Sequence, residues 1–169
     1  LRRWARSRAV AGAIVVGNPD VPVQWLQKLV AQKAFCVVIV HHPPPPMANV
    51  GCVTLDLSRG IAQVAELLCS LGHRQVGYIG SIPGDPVLDM LQAEMEKRCG
   101  SIPAEYIVHV GETPDRGAQG AYTLFRHNPR PTAVFVRTDV LAIGAMRAIR
   151  EMGFCIPRDV SVIAHDDVP

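Results

Sequence analysis

Aromatic side chains are scarce in this sequence, at 5% of 169 residues, so stacking platforms for a ring-shaped ligand are few. Neither charge dominates: 17 Lys+Arg against 15 Asp+Glu leave a formal charge of +2. That balance does not by itself mark a nucleic-acid or membrane-surface protein. The longest apolar runs, Ala9 to Val16 and Ala34 to Val40, fall far short of the ~20 residues of a transmembrane helix, which excludes a membrane span of that kind. There is no C-x-x-C pair. The five cysteines (Cys36, Cys52, Cys69, Cys99, Cys155) are odd in number and scattered. Most lie in apolar stretches, which reads as buried free thiols of a reducing cytosol. No secretory signal is present, and the chain opens at Leu1 without an initiator Met and closes just after a strand, as a piece of a longer chain would.

Motifs of enzymes are missing as well. The sequence holds no G-x-x-x-x-G-K-[ST], no G-x-G-x-x-G and no G-x-S-x-G, so no enzyme activity and no cofactor are expected. His41 and His42 are adjacent and point apart on a strand, unlike a metal-binding pair one helical turn apart. Ser161, His165 and Asp166 contain the residue types of a catalytic triad, but nearness in sequence does not make a relay in space. Four arginines and one Trp within Leu1–Arg8 are too few to define a DNA-reading element and read as a solvated helix face.

With 49% hydrophobic and 19% charged residues the chain can bury a core, as one domain or two small lobes. Strands and helices alternate. Val10–Val16, Phe35–Val40, Val50–Leu55, Gln75–Ile79, Tyr106–Val110, Ala133–Val136 and Val160–Ala164 are short apolar runs of strand type. Between them lie helical patterns. One starts at Asp20 and Pro22, a second is capped by Ser58 and closed by Gly72, and a third has Asp85 as cap and Pro86 first. The remaining two span Arg116–His127 and Val140–Met152, the latter closed by Gly153. Continuous apolar strands alternating with amphipathic helices define an α/β protein whose parallel sheet is covered on both faces. The Pro43–Pro46 tract reads as a stiff polyproline loop, with a docking peptide as the alternative.

In open parallel sheets ligands bind beyond the carboxyl ends of the strands. That rule selects Gly17-Asn18, His41-His42, Asp56, Gly80-Ser81, Gly111-Glu112, Arg137-Thr138-Asp139 and His165-Asp166-Asp167. Asp139 and Asp166 can accept hydrogen bonds from hydroxyls or amines, while Thr138 and Ser81 can donate or accept. Asp139 precedes a helix and is read either as its cap or as a ligand contact. Asp166 and Asp167 precede no helical pattern and read as ligand or hinge contacts.

Several segments read together resemble the LacI/GalR family of bacterial transcriptional regulators. Ser70-Leu71-Gly72-His73-Arg74-Gln75-Val76-Gly77-Tyr78-Ile79-Gly80 is similar to the family's "LGHRxIxxIxG". Pro131–Phe135, Thr138-Asp139 and Leu141–Ile149 are similar to "PTAxFxxND…A.GAxxAI". Ile156–Ile163 with Asp166-Asp167 is similar to "xPxDVSVIGFDD". Val53, Asp56 and Gly60 resemble "VxxDxxxG", and Arg8–Ile14 resembles "RxVDGII". The blocks occur in family order over essentially the whole chain.

The resemblance implies a two-lobed periplasmic-binding-protein-like fold, parallel sheets flanked by helices, that closes on a small molecule. Residues 1–56 would form a partial N-terminal lobe, and 57–169 the C-terminal lobe ending at the return crossover. It further implies a cytoplasmic homodimer that senses a small-molecule effector, and contact with operator DNA only through a headpiece absent from this chain. Carried over by matching residues, the ligand-binding set is Asp166, Asp139, Thr138, Asp56, Ser81 and His165. Thr138 stands for the family's Asn and His165 for its aromatic. The arginine expected in the helix after the "IxG" strand is missing, since Leu88, Asp89 and Met90 stand there, so no guanidinium fork is expected for a sugar. The effector is therefore read as a sugar or an atypical small molecule, with regulation that does not depend on a sugar as the other reading. The alternative is a solute-binding protein of a transporter, which shares the fold, and against which free cysteines argue.

Overall fold

The computed structural model describes residues 12–16, 24, 27–28, 31, 35–39, 47 and 49–167. They belong to two compact units, Leu1–Asp56 and Leu57–Pro169. The arginine cluster of Leu1–Arg8, His41-His42 and the Pro43–Pro46 tract lie outside the described residues. Of the helix expected after Asp20, Gln24, Gln27 and Lys28 are described and all three are helical.

In the first unit three short strands form one parallel sheet. They are β1 (Gly12–Val16), β2 (Phe35–Ile39) and β3 (Val50–Val53), in the order β1-β2-β3. The second unit carries α1 (Ser58–Ser70), β4 (Val76–Gly80), α2 (Pro86–Glu96), a 3-10 turn at Ala104–Tyr106 and β5 (Ile107–His109). It continues with α3 (Pro114–Leu124), β6 (Ala133–Val136), α4 (Asp139–Glu151) and β7 (Ser161–Ala164). Its four strands are all parallel, in the order β5-β4-β6-β7. The described chain is thus α/β, with strands alternating with helices as their apolar runs require.

Local signals set most boundaries. Ile61, Ala65 and Leu68 recur at helical spacing and are the buried stripe of α1, which ends before Gly72 in the left-handed region at φ 82°. Asp85 caps α2 by accepting from the Val87 amide at 3.0 Å, with Pro86 in the first turn. Two helix starts differ from the sequence reading. Ser58 is the first residue of α1 rather than its cap, because Leu57 holds the cap position without a side-chain bond. α3 starts at Pro114, two residues before Arg116, because Thr113 accepts from the Arg116 amide and proline suits the first turn.

The chain leaves β4 through α2 to reach β5, then crosses back through α3 to β6. Right-handed crossovers therefore place α2 on one face of the sheet and α3 and α4 on the other. Packing agrees, since α1 lies against α2 and α3 against α4. Every residue of β4 and β6 is buried, and Tyr78, Ile79, Phe135, Leu91, Leu124 and Leu141 fill the core on both faces. The α3–α4 contact is closer than ordinary side chains permit. A methyl built on Gly117 would stand 2.0 Å from the Leu141 carbonyl oxygen, and one on Gly144 would stand 1.6 Å from that of Pro114.

At the amino edge of the sheet His73 ties two strand starts together, with Nδ1 2.9 Å from Thr132 Oγ1 and Nε2 3.2 Å from Ser161 Oγ. Ser161 therefore opens β7 while His165 follows its other end. The triad residue types lie at opposite edges of the sheet.

The cysteine reading needs correction. Cys69 and Cys99 form a disulfide that joins the end of α1 to the segment after α2, and Cys52 and Cys155 are exposed free thiols rather than buried ones. The apolar context that suggested inert thiols is real, but it is the packing of α1 on α2 that brings two of them together. The bond closes a loop over a sequence separation of 30 residues. Reducing it is expected to lower the unfolding free energy by about 3.5 kcal/mol through the entropy returned to the unfolded chain. Denaturant midpoints with and without reductant check this, and Cys69→Ser should melt like the reduced protein in both.

Candidate functional site

In an open sheet the crevice lies where neighbouring strands send their following helices to opposite faces. Here those neighbours are β4 and β6. Backbone hydrogen bonds carry the ladder past the strand ends, from Arg137 N to Ile79 O at 2.9 Å and from Val110 N to Gly80 O at 2.8 Å. His165 N likewise donates to Val136 O at 3.3 Å. Ser81, Arg137, Thr138, His165 and Asp166 therefore stand along one edge.

The crevice holds charge. Asp85 and Arg137 are the buried charged side chains among the described residues, at 4% and 7% exposure. Arg137 Nε donates to Asp85 Oδ2 at 2.8 Å, the Tyr78 hydroxyl donates to the same oxygen at 2.9 Å, and the Val87 amide takes Oδ1. Both carboxylate oxygens are satisfied, which is the condition under which a buried pair is tolerated. Burial, and then the neighbouring Asp85 carboxylate, push the Tyr78 phenol well above its ordinary range, so it remains an O–H donor. Gly80 makes this arrangement possible: the Tyr78 ring lies where a Cβ at Gly80 would sit, 2.4 Å away.

Beyond the pair, Arg137 Nη1 lies 3.1 Å from His165 Nδ1, and that nitrogen lies 2.8 Å from Asp166 Oδ1. Asp166 and Asp167 have φ of 123° and 71°. Side chains with a Cβ rarely occupy this region, and such strain concentrates at binding loops.

The residues expected from sequence fall as follows. His165 and Asp166 meet each other, and through Arg137 they meet Asp85 and Tyr78. Thr138 caps α4 by accepting from the Leu141 amide at 3.4 Å, so the helix-capping role considered for Asp139 belongs to its neighbour, and Asp139 is the first helical residue. Ser81 follows β4 and is half-buried. Asp56 belongs to the first unit and is exposed. The edge carries a guanidinium to which sequence reading gave no role, bound to Asp85 rather than offered as a free fork. α2 supplies none, but Arg137 supplies one from the end of β6. Sequence reading grouped Arg137 with the polar strand end and passed it over. The signal was a cation directly after the fully apolar AVFV run, where solvation is poor. No cluster of three or more His, Cys, Asp or Glu among the described residues could hold a metal ion, and no described helix is long and apolar enough to cross a membrane.

A sheet with this order, its crevice at the β4–β6 switch point, matches a periplasmic binding protein-like domain over residues 65–169. The chain belongs to that family, among the effector-binding domains of LacI/GalR regulators. The HTH-type transcriptional repressor PurR of Escherichia coli O1:K1 is 35% identical over 105 residues, covering 60% of this chain and 31% of the repressor. The chain thus spans about a third of the length of the curated relatives it matches. A regulatory protein of LacI family from Chloroflexus aggregans superposes with a TM-score of 0.82 at 29% identity, over 99% of this chain and 61% of that one. A LacI family transcriptional regulator from Enterococcus faecalis, solved with bound ribose, shares the fold with a TM-score of 0.79 at 22% identity, over 98% and 60%.

Proposed function

We propose that this chain is the effector-sensing region of a cytoplasmic transcriptional regulator, and that a small molecule binds at the carboxyl edge of the β5-β4-β6-β7 sheet. The carrying observation is the convergence of Asp166, His165, Arg137 and Asp85 from the ends of β7 and β6 and the cap of α2. Asp166 is the acceptor for a ligand hydroxyl or amine, with Thr138, Asp139, Ser81 and His165 on the same edge. The relative solved with ribose supports a polyhydroxyl ligand. The departures at Thr138, His165 and Leu88–Met90 support a specificity different from that of an ordinary sugar. A ligand shifts operator affinity only if it binds the two arrangements of the regulator unequally. Val140 and Ile143, exposed apolar residues one turn apart on α4, are the surface proposed for a second copy in a homodimer.

The test is a thermal-shift panel of mono- and disaccharides, polyols and amino sugars on the complete protein. A binding ligand is expected to raise the melting temperature, as any ligand selective for the folded state does. Asp166→Ala should erase that shift and the effector response of a reporter while the unliganded melt is kept. A response retained in Asp166→Ala removes Asp166 from the site.

The solute-binding alternative gains one observation. The Cys69–Cys99 disulfide takes two cysteines out of the argument against export. The strength of the likeness to regulators favours the first reading, and cell fractionation separates the two.

A further inference from the structure

His165 Nδ1 lies within hydrogen-bonding reach of two neighbours that make opposite demands on it: Arg137 Nη1 at 3.1 Å and Asp166 Oδ1 at 2.8 Å. A guanidinium has only hydrogens to offer, and a carboxylate only lone pairs. Arg137 therefore needs Nδ1 bare, while Asp166 needs it protonated. One nitrogen cannot satisfy both at once.

The surroundings decide between them. Arg137 is 7% exposed and its Nε is held by Asp85, so its guanidinium has little access to water. The Asp166 side chain is 39% exposed and has solvent as an alternative partner. A buried guanidinium hydrogen without an acceptor is the costlier outcome. The ring nitrogen goes to the arginine.

We propose that Arg137 is a positioning residue that holds His165 as the Nε2–H tautomer and thereby releases the Asp166 carboxylate for ligand. With Nδ1 bare, its lone pair and the Asp166 oxygen repel each other, and the carboxylate turns outward. Nε2 has no hydrogen-bond partner among the described residues, so its hydrogen is left for a ligand. The edge then presents a donor next to an acceptor, which suits a ligand group with an acceptor beside a donor. The charged and titratable groups facing His165 are Arg137 from the end of β6 and Asp166 from its own loop. Asp85 and Tyr78 stand behind Arg137. The value of this arrangement rests on the ligand-binding role proposed for the edge. The tautomer itself belongs to the unliganded protein, so it fails or holds independently of the effector panel.

The experiment is a long-range proton–nitrogen correlation spectrum of the full chain labelled with 15N-histidine, at an alkaline pH where the rings are neutral. His165→Gln assigns the signal. The wild type should show Nδ1 as the unprotonated nitrogen and Nε2 carrying the hydrogen, and Asp166→Asn should leave that pattern in place. The double variant Asp85→Asn/Arg137→Met removes both buried charges together, leaving neither orphaned. There the ring should change to the Nδ1–H form, bonded to Asp166. A wild-type ring in the Nδ1–H form, or comparable amounts of both, overturns the proposal. So does a folded double variant that keeps Nε2–H. If the double variant does not fold, the wild-type and Asp166→Asn spectra decide the matter alone.

Discussion

Arg137→Met should cost about 3–5 kcal/mol of folding free energy, because it leaves the Asp85 carboxylate buried without its counter-charge. The Tyr78 hydroxyl and the Val87 amide still reach Asp85, but neither carries charge. Asp85→Asn in the same chain should restore most of that loss. Asparagine still caps α2 through its oxygen, its amide nitrogen can then donate to the Tyr78 hydroxyl oxygen, and it brings no charge into the core. Denaturant titration of the single and double variants measures the pair as a coupling energy. If Arg137→Met is as stable as the wild type, water reaches Asp85 and the crevice is not dry.

The second large effect lies on the opposite face of the β4–β6 switch from α2. Gly144→Val should remove more than about 4 kcal/mol and leave the second unit unfolded. Ordinary overpacking costs about 1–3 kcal/mol because neighbouring side chains can give way. Here the atom met is the Pro114 carbonyl oxygen at 1.6 Å, and backbone cannot yield without separating α3 from α4. Gly60→Ala is the control: nothing lies within 4 Å of its added methyl in α1. It should raise stability by about 0.5–1 kcal/mol through the lost freedom of the unfolded chain. Circular dichroism with urea denaturation reads both. A folded Gly144→Val protein would mean that the two helices can repack at a wider spacing.

What could be read in the sequence was local. Asp85-Pro86 announced the start of α2, Gly72 and Gly153 closed their helices in the left-handed region, and AVFV set β6 to the residue. The carboxyl edge was legible too, since strand ends follow from where polar residues interrupt apolar runs. The partnerships across that edge were not legible. Arg137 and Asp85 are 52 residues apart, and Cys69 and Cys99 are 30 apart. Periodicity relates residues only within one element. The cap of α1 and the start of α3 were misplaced for a related reason. Ser58 and Thr113 are both good caps, and which one serves depends on where the preceding strand releases the chain. Family likeness pointed to an arginine on α2 and so turned attention from the cation at the end of β6.

Helix α2 is fastened at both of its ends. Its cap, Asp85, is locked into the crevice by three donors, and Cys99 beyond its last turn is bonded to α1. An element pinned this way behaves as part of a rigid frame and has little freedom to slide or tilt when a ligand arrives. Motion at this edge then falls to the pieces without such anchors, above all the turn after β7 where Asp166 and Asp167 already sit in strained backbone. In the oxidised protein the moving part is short and close to the ligand, while the sheet and α2 serve as its fixed bearing.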